Sequence, residues 1–453
     1  NSIDFKEIDD PYILDAYIPE SFNLEVSSEN GLQLTKRNEL RHAVGIVATR
    51  TLRYFSTNGE EFNIFRARRM AVWWFRHIYN SFNWWKAFVV NAEGERKEMP
   101  MLYIGERFGS ETVHKDCEAD IVLSAFENDR SIVDPESEGG VIVAVGYSER
   151  QKLFNSPDMY CVKAIVGNKY KGAGVNITHG ITKNLKLMAE KALKDKNEEI
   201  TPQNIDDEIH KMKIVALDRL RHKKLIETIN NLGAEVILVK EDDLTPTFAV
   251  TRGEIDMIIG VGGVPEAVLS GIIVAQLGGE MTLRVLPYEV ALEEHLLGQL
   301  KHWDSFKKNE IDILRNFKIV RPGTEKAGEI PWDRTLTLED LVKGKDIVFT
   351  ASVIKKTPWI KLSDGEEVPG VNINPESGDI NVFVVRVADN NVEIVPIVYK
   401  TVIGKLLEQY KANQDANCEA NVRLLVQLGK VYSEFGLFEE ARDCIQKAKI
   451  CNG

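Results

Sequence analysis

Cysteine is scarce in this sequence, and the few that occur are widely spread. The chain has five cysteines in 453 residues, and no two of them form a C-x-x-C pair. An odd number of scattered thiols does not make a disulfide framework, and structural zinc sites need closely paired ligands. We therefore expect a protein of a reducing compartment without a disulfide scaffold or a zinc module.

Positive charge is also in short supply. The chain has 57 lysines and arginines against 69 aspartates and glutamates, which gives a formal net charge of -12 and a pI of about 5.4. A surface with this excess of negative charge repels the phosphate backbone of DNA and RNA. We therefore expect no nucleic acid among its partners.

Long apolar runs are missing as well. The most apolar stretch, residues 70–90, is interrupted by polar and charged side chains that include Arg76, His77, Asn80, Asn83 and Lys86. A membrane-spanning helix needs about 20 consecutive, predominantly apolar residues. The sequence therefore predicts no membrane span. The first residues, "NSIDFKEIDDPYILDAYIPESF", also lack the charged-then-apolar profile of a signal peptide.

Apolar residues are nevertheless plentiful. They make up 43% of the chain, which is enough for one large core or about two to three ordinary ones. Changes in pattern along the chain predict four segments. These are an acidic N-terminal extension at 1–37, a first α/β domain at 38–207, a second α/β domain at 208–400, and a helical C-terminal segment at 401–453.

Strand-like and helix-like patterns alternate regularly from residue 213 to residue 286. Apolar runs such as "KIVALD", "AEVILVK" and "EIDMIIGVGG" alternate with "RHKKLIETINNLG" and "PEAVLSGIIVAQLGG". Strands joined by helical crossovers form parallel sheets that have helices on their faces. The predicted fold class is therefore α/β. The glycine-rich "GVGGVP" lacks the full G-x-G-x-x-G spacing, so we set a dinucleotide site aside.

The pattern changes again from Leu425. The stretch "LLVQLGKVYSEFGLFEEARDCIQKAKI" has small and large residues at the spacing of one tetratricopeptide repeat, which is a helix-turn-helix unit. A single repeat cannot bury its apolar face alone, so it has to pack on the body of the protein or on a partner. An ordinary terminal helical hairpin that docks on its own domain explains the pattern equally well.

Several longer motifs resemble one known family. The run "MLYIG" after "EGER" and the segments "SPDMYCVKAI", "THGITKNLK", "LDRLRHKKLIETINNLGAEVILV" and "GVGGVPEAV" are similar to the class II fructose-1,6-bisphosphatase and sedoheptulose-1,7-bisphosphatase family of bacteria and cyanobacteria. The similarity extends over residues 38–399. It implies a layered α/β sandwich of the inositol monophosphatase and fructose-bisphosphatase type, and a metal-dependent sugar phosphatase.

The resemblance implies a set of metal-binding carboxylates, of which this sequence keeps only part. The implied members are an acid near Glu60 and the three metal ligands Glu93, Glu127 and Glu266. The family motif D-P-x-E-G-T reads "SAFEND" here, so that Ser124 stands at the Asp position and Asp129 replaces the Thr. Glu127 and Asp129 are the candidate catalytic residues of this altered motif. Without the resemblance, the acidic segment 93–98 would be interpreted as a solvated loop.

The residues that would bind the substrate are better preserved. The family motif D-R-P-R-H reads "DRLRH" here, with Leu220 in place of the proline, and its D-G-D reads "EDD", with Asp242 in place of the glycine. Guanidinium groups suit the geometry of phosphate oxygens. The implied substrate-binding residues are Tyr160, Lys163, Arg219, Arg221, Glu241 and Asp243.

This asymmetry favours a protein that has kept the scaffold and lost catalytic power. Losing even an outer partner of a metal ligand costs about 10- to 100-fold in metal affinity or activity. The first hypothesis is thus an impaired phosphatase without a cofactor that serves as a structural or linker subunit of a larger assembly. Partner subunits would dock on the aromatic segment 70–88, the N-terminal extension and the C-terminal helical hairpin, and a homo-oligomer is left open.

The alternative hypothesis is an active sugar bisphosphatase with Mg²⁺ or Mn²⁺ as cofactor. In that case Glu93, Glu127, Asp129 and Glu266 hold the metal, and Tyr160, Arg219 and Arg221 bind phosphate. A third hypothesis is a regulator that binds a sugar phosphate through the arginines without cleaving it. The resemblance also implies a cytoplasmic location, or the plastid stroma in a photosynthetic eukaryote.

Overall fold

The computed structural model describes the chain in eight stretches: residues 32–55, 61–92, 102–132, 139–293, 309–317, 332–413, 418–434 and 437–451. The predicted N-terminal extension therefore lies almost wholly outside the described residues. None of the described helices is both long enough and apolar enough to cross a membrane.

The described strands form two mixed sheets. In chain order the strands are β1 Lys86–Ala92, β2 Arg107–Gly109, β3 Glu118–Glu127, β4 Val141–Glu149, β5 Tyr160–Val166, β6 Lys213–Leu217, β7 Glu235–Val239, β8 Met257–Gly263, β9 Glu280–Val285, β10 Leu336–Thr337, β11 Val348–Lys355, β12 Asn372–Ile373, β13 Ile380–Ala388 and β14 Asn391–Tyr399. The described helices surround them: α1 Glu39–Thr51, α2 Glu61–Ser81, α3 Ile181–Asp195, α4 Pro202–Ile209, α5 Lys223–Asn231, α6 Pro246–Arg252, α7 Val264–Leu277, α8 Tyr288–Glu293, α9 Glu310–Asn316, α10 Leu338–Leu341, α11 Val402–Ala412, α12 Cys418–Glu434 and α13 Phe438–Cys451.

The first sheet brings together two distant parts of the chain. Its order is β12-β13-β11-β4-β3-β1-β2, and β14 pairs with β13 at the edge. Strands β1 and β3 are parallel, and the other pairs are antiparallel. The predicted second domain, 208–400, therefore supplies four strands to a sheet that begins in the predicted first domain.

The second sheet has the order β10-β9-β5-β8-β6-β7. Strands β6, β7 and β8 run parallel, as the alternating pattern predicts. Strand β9 does not join them, because β5 lies between β8 and β9 and is antiparallel to both. The prediction of a parallel sheet is therefore correct for three strands only, since β5 enters from a segment outside the alternating pattern.

Helix α7 forms the layer between the two sheets. Its apolar residues Leu269 and Ile272 are fully buried, in a cluster with side chains from both sheets. Gly146 of β4 lies so close to it that an added Cβ atom would be 2.3 Å from Ile272 Cδ1. Helices α1 and α2 pack on the outer face of the first sheet, and α3 and α5 pack on the outer face of the second. The order of layers is thus α/β/α/β/α.

Most aromatic rings of segment 70–88 lie in the hydrophobic core on the outer face of the first sheet. Trp85 is 0% exposed, and Trp74 and Trp84 are each 5% exposed. The buried hydroxyl groups of Tyr79 and Tyr147 are 2.6 Å apart and share a hydrogen bond between α2 and β4. A partner surface on this segment stays a prediction, and it would have to use the half-buried rings such as Trp73.

Helices α12 and α13 pack against each other at the end of the chain. Gly429 faces Ala441 and Ile445, where an added Cβ atom would be 3.2 Å from the Ala441 carbonyl oxygen. The Tyr432 hydroxyl donates a hydrogen bond to the carbonyl oxygen of Pro375 at 2.7 Å, which ties this pair of helices to the body of the protein. The tetratricopeptide-like nature of the pair stays a prediction.

Candidate functional site

A cavity of about 330 Å³ opens where the parallel strands of the second sheet end. Ligands of open α/β sheets bind outside the carboxyl ends of the strands, where the connecting loops supply side chains. Most of the predicted site residues line this cavity. Its described lining is Glu127, Asp158, Met159, Tyr160, Leu217, Arg219, Arg221, Glu241, Asp243, Gly262, Gly263 and Glu266.

Each of three neighbouring strands contributes one loop to the cavity. Strand β6 ends at Leu217 and leads into the turn that includes Arg219 and Arg221. Strand β7 ends at Val239, and the loop after it has Glu241 and Asp243. Strand β8 ends at Gly263, which is also the residue before α7. Successive motifs are about 20 residues apart in the sequence, because a crossover with one helix connects each parallel strand to the next.

The basic side of the cavity is built around Arg221. Its Nη2 atom donates a hydrogen bond to the carbonyl oxygen of Val261 at 2.8 Å, and its guanidinium group lies 5.4 Å from the centre of the Tyr160 ring. Burial lowers the pKa of Arg221 below its usual range and raises the pKa of Tyr160. Tyr160 therefore stays protonated at neutral pH and can donate a hydrogen bond to a ligand oxygen.

Arg219 is held differently, by a carboxylate at the cavity wall. Its Nη2 atom lies 3.4 Å from Glu241 Oε1, and Nη1 of the exposed Arg130 lies 3.5 Å from the same oxygen. Glu241 thus lies between two guanidinium groups, in the position that an anionic ligand would favour. Arg130 was not predicted from the sequence, because nothing local shows that its loop meets the loop after β7.

Lys163 and Asp243 form a buried ion pair in the floor of the site. Lys163 Nζ lies 2.8 Å from Asp243 Oδ2 and also donates to the Asp243 carbonyl oxygen at 3.1 Å. Burial lowers the pKa of Lys163, but the Asp243 carboxylate and its other neighbours outweigh that effect, so the pKa is raised overall. The structure therefore places Lys163, predicted as a substrate ligand, in a pair that positions Asp243.

Two glycines let carboxylates approach the main chain closely. A Cβ atom on Gly262 would be 1.9 Å from Asp243 Oδ2, and one on Gly263 would be 2.0 Å from Glu266 Oε2. These distances are far below van der Waals contact, so a side chain at either position would displace a carboxylate. Glu266 lies in the first turn of α7, where the positive end of the helix dipole favours a negative charge.

The altered "SAFEND" motif lies at the end of β3, which brings the first sheet into the site. Ser124 is fully buried, and its hydroxyl donates a hydrogen bond to Glu127 Oε2 at 3.3 Å. Glu127 lines the cavity, whereas Asp129 forms an ion pair with Arg68 of α2. The structure thus brings Glu127 together with Glu266 and the arginines, and it places Asp129 against the helical layer.

The described residues do not form a complete metal site. Glu93, predicted as a ligand, lies outside the described residues, and within the described chain no three His, Cys, Asp or Glu side chains form a group that could hold a metal ion. Mg²⁺ is often bound by only one or two carboxylates, with water and substrate phosphate as its other ligands. Glu127 and Glu266 both line the cavity and are carboxylates of the kind that this mode uses.

Sequence comparison identifies the family. A model of the family described as bacterial fructose-1,6-bisphosphatase, glpX-encoded, matches residues 48–398. The chain is 27% identical to a class 2 fructose-1,6-bisphosphatase of Haemophilus influenzae over 281 residues, which cover 61% of this chain and 73% of that protein. It is also 27% identical to a class 2 fructose 1,6-bisphosphatase/sedoheptulose 1,7-bisphosphatase of Trichodesmium erythraeum over 322 residues, 69% of this chain and 82% of that protein. Because the family model matches well over half of its residues, this chain belongs to the glpX-encoded bacterial fructose-1,6-bisphosphatase family.

Proposed function

We propose that this chain binds a sugar bisphosphate in the cavity and hydrolyses one of its phosphate esters. The substrate class is that named for its relatives, fructose 1,6-bisphosphate and sedoheptulose 1,7-bisphosphate. The observation that carries the proposal is that Arg219, Arg221 and Tyr160 share one cavity with Glu127 and Glu266. Donors for phosphate oxygens and carboxylates for a divalent cation are the two elements that such a hydrolysis needs.

Different residues of the cavity would bind the phosphate groups, the divalent cation and the sugar hydroxyl groups. Arg221 and Tyr160 supply hydrogen-bond donors that hold phosphate oxygens, and Arg219 supplies a second guanidinium group. Glu127 and Glu266 would hold Mg²⁺ or Mn²⁺, which supplies Lewis-acid stabilisation of phosphoryl oxygens when bound. Asp243, fixed by Lys163, offers a carboxylate acceptor for sugar hydroxyl groups.

A second candidate function is binding of the same ligand without hydrolysis, in a subunit of a larger assembly. The hydroxyl of Ser124 beside Glu127 and the ion pair of Asp129 with Arg68 favour it. A neutral hydroxyl is a poorer ligand for Mg²⁺ than a carboxylate, and a carboxylate paired with arginine is less free to bind a cation. The partner surfaces proposed for this function are the half-buried rings of segment 70–88 and the α12–α13 pair.

Phosphate release from fructose 1,6-bisphosphate distinguishes the two functions. The purified chain is incubated with Mg²⁺ or Mn²⁺ and compared with Glu266→Gln and with Glu235→Gln, a control at an exposed position of β7. Release that requires metal and is lost only in Glu266→Gln supports hydrolysis. Binding of the bisphosphate without release of phosphate supports the second function. A chain that neither binds nor hydrolyses the bisphosphate contradicts both proposed functions.

A further inference from the structure

Strands β6 and β8 are hydrogen-bonded neighbours for only a short distance. Their parallel pairing consists of Ile214 with Met257 and Val215 with Ile258. The pairing stops before the strands reach the cavity, and the residues that follow on each strand supply the cavity wall. Beyond this point β6 stays paired with β7 and β8 stays paired with β5. The main-chain groups of β6 and β8 that point toward each other need other partners, because buried peptide groups are costly to leave unpaired.

The imidazole ring of His222 fills this gap. The side chain is 2% exposed, and its Nε2 atom lies 2.8 Å from the main-chain nitrogen of Val261 on β8. Its Nδ1 atom lies 2.9 Å from the carbonyl oxygen of Leu217 on β6. Because the Val261 N–H can only donate, Nε2 has to accept and the ring proton has to be on Nδ1, which then donates to Leu217. A neutral imidazole with one donor and one acceptor thus continues the ladder between the two strands.

Arg221, the residue before His222, forms a hydrogen bond with the main-chain carbonyl group of Val261. Arg221 donates to the Val261 carbonyl oxygen at 2.8 Å, so two consecutive side chains bind both main-chain groups of one residue. Val261 directly precedes Gly262 and Gly263, which lie against the Asp243 and Glu266 carboxylates. Gly260 is equally constrained, because its φ is +151° and a Cβ atom there would be 2.9 Å from the His222 ring.

We infer that His222 is a positioning residue for the sugar-phosphate site. Its ring fixes the separation of the β6 and β8 ends, and thereby the position of the Arg221 guanidinium group relative to Gly262, Gly263 and Glu266. The role in ligand binding rests on the proposed function. The competing interpretation is a buried histidine that only fills space, and the two interpretations differ in whether the hydrogen-bonding atoms or the ring volume matters.

Three substitutions separate these properties. His222→Gln keeps an acceptor that can reach the Val261 N–H, His222→Asn keeps a donor near Leu217, and His222→Phe keeps the ring volume with neither hydrogen bond. Tyr170→Phe is the control for general loss of stability. It removes a buried hydrogen bond to Asp256 at 2.8 Å, at the opposite end of β8.

Two readouts are needed, one for the bridge and one for the ligand. Amide hydrogen exchange by NMR measures protection of the Val261 N–H, and calorimetry with fructose 1,6-bisphosphate measures affinity. We expect Val261 protection to fall in His222→Phe and His222→Asn but to be largely kept in His222→Gln. Affinity should fall at least about tenfold in His222→Phe, less in His222→Gln, and not in Tyr170→Phe.

The outcomes separate failure of this inference from failure of the proposed function. Unchanged Val261 exchange in both His222→Phe and His222→Asn overturns the bridge. Lost protection with unchanged affinity, or an equal loss of affinity in Tyr170→Phe, overturns the positioning role. A wild-type chain that binds no bisphosphate contradicts the proposed function and, with it, the role of His222 in ligand binding. The hydrogen-exchange data still test the His222 hydrogen bonds between β6 and β8 in that case.

Discussion

The Glu241 carboxylate occupies the place between Arg219 and Arg130 that a phosphate group would favour. Its Oε1 atom lies 3.4 Å from the partly exposed Arg219 guanidinium group and 3.5 Å from the exposed Arg130 guanidinium group. Exposed pairs of this kind contribute about 0.2–1 kcal/mol each. We expect Glu241→Gln to bind inorganic phosphate about two- to fivefold more tightly in calorimetry, because the competing charge is gone. Weaker binding in this variant would show that Glu241 holds Arg219 in place instead.

Ser124 is the second residue at which a single change is informative. Its buried hydroxyl donates to Glu127, so an aspartate there would put a second carboxylate beside the first. Two adjacent carboxylates repel each other unless a cation lies between them. We expect S124D to melt at a lower temperature than the wild type in EDTA, and to gain several degrees more from Mg²⁺ than the wild type does.

The matched control for S124D is S270D. Ser270 is also fully buried, and it bonds to the hydroxyl of Thr247 at 3.1 Å in the layer between the sheets. We expect an aspartate there to lower the melting temperature, and we expect Mg²⁺ to leave that lowered melting temperature unchanged. Equal Mg²⁺ responses in both variants, or none in either, would mean that Glu127 and position 124 do not face a cation site.

At the scale of elements, the junction of β8 and α7 is the most tightly constrained part of the site. A Cβ atom on Gly262 would overlap Asp243 Oδ2 and press on the buried pair that Asp243 forms with Lys163. We expect Gly262→Ala to lower the free energy of unfolding in urea by about 1–3 kcal/mol, as overpacking usually does. Gly180→Ala is the control, because no atom lies within 4 Å of the added group. Similar losses in both variants would contradict this account of the junction.

The β6–β8 junction also makes stability depend on pH. Burial lowers the pKa of His222 to about 4, so the unfolded chain takes up a proton at this residue between about pH 6.5 and 4 while the folded chain does not. The contribution of His222 to the free energy of unfolding is therefore fully present above pH 6.5, and it is lost as the pH falls from 6.5 to about 4. Arg219, Arg221 and Asp243 are the charged groups that act on the ring, and burial is the largest cause.

Asp242 titrates in the same range with the opposite sign. Burial raises the pKa of Asp242 to about 6, so its carboxyl group stabilises the folded chain in the protonated form. This contribution to the free energy of unfolding is lost as the pH rises through that value. A comparison of wild type with His222→Gln cancels it, because both proteins contain Asp242. We expect the stability of the wild type relative to His222→Gln to fall by on the order of 3 kcal/mol from pH 6.5 to pH 4 in urea unfolding. Parallel curves for the two proteins would contradict the neutral, bridging imidazole.

For the whole molecule, sequence patterns predict the second sheet better than the first. Strands β6, β7 and β8 are separated by short crossovers, so their order and the meeting of their loops follow from local rules. The family resemblance assigns the motifs of Arg219, Arg221, Glu241 and Glu266 to one site. The arrangement of these strands is the physical reason why the structure brings them to one cavity. Strand β11 pairs with β4 across more than 200 residues and brings β12–β14 with it, and no local pattern indicates such a pairing.

The finer features of the site depend on contacts between distant segments. The pairing of Asp129 with Arg68 follows from how α2 packs on the first sheet, and the pairing of Arg130 with Glu241 follows from how the two sheets face each other. Both use charged side chains that could equally have faced solvent. The bridge made by His222 is likewise invisible in the sequence, because it depends on where the pairing of β6 and β8 stops.

The central claim is that this cavity binds a sugar bisphosphate through Arg221, and calorimetric titration of fructose 1,6-bisphosphate in the presence of Mg²⁺ tests it most directly. We predict saturable binding by the wild type and at least about tenfold weaker binding by Arg221→Lys, because a lysine lacks the planar fork that serves both Val261 and phosphate. Arg252→Lys, on the surface beside Glu254, should bind like the wild type. No heat of binding in the wild type at millimolar ligand, or equal affinities of wild type and Arg221→Lys, would contradict the claim.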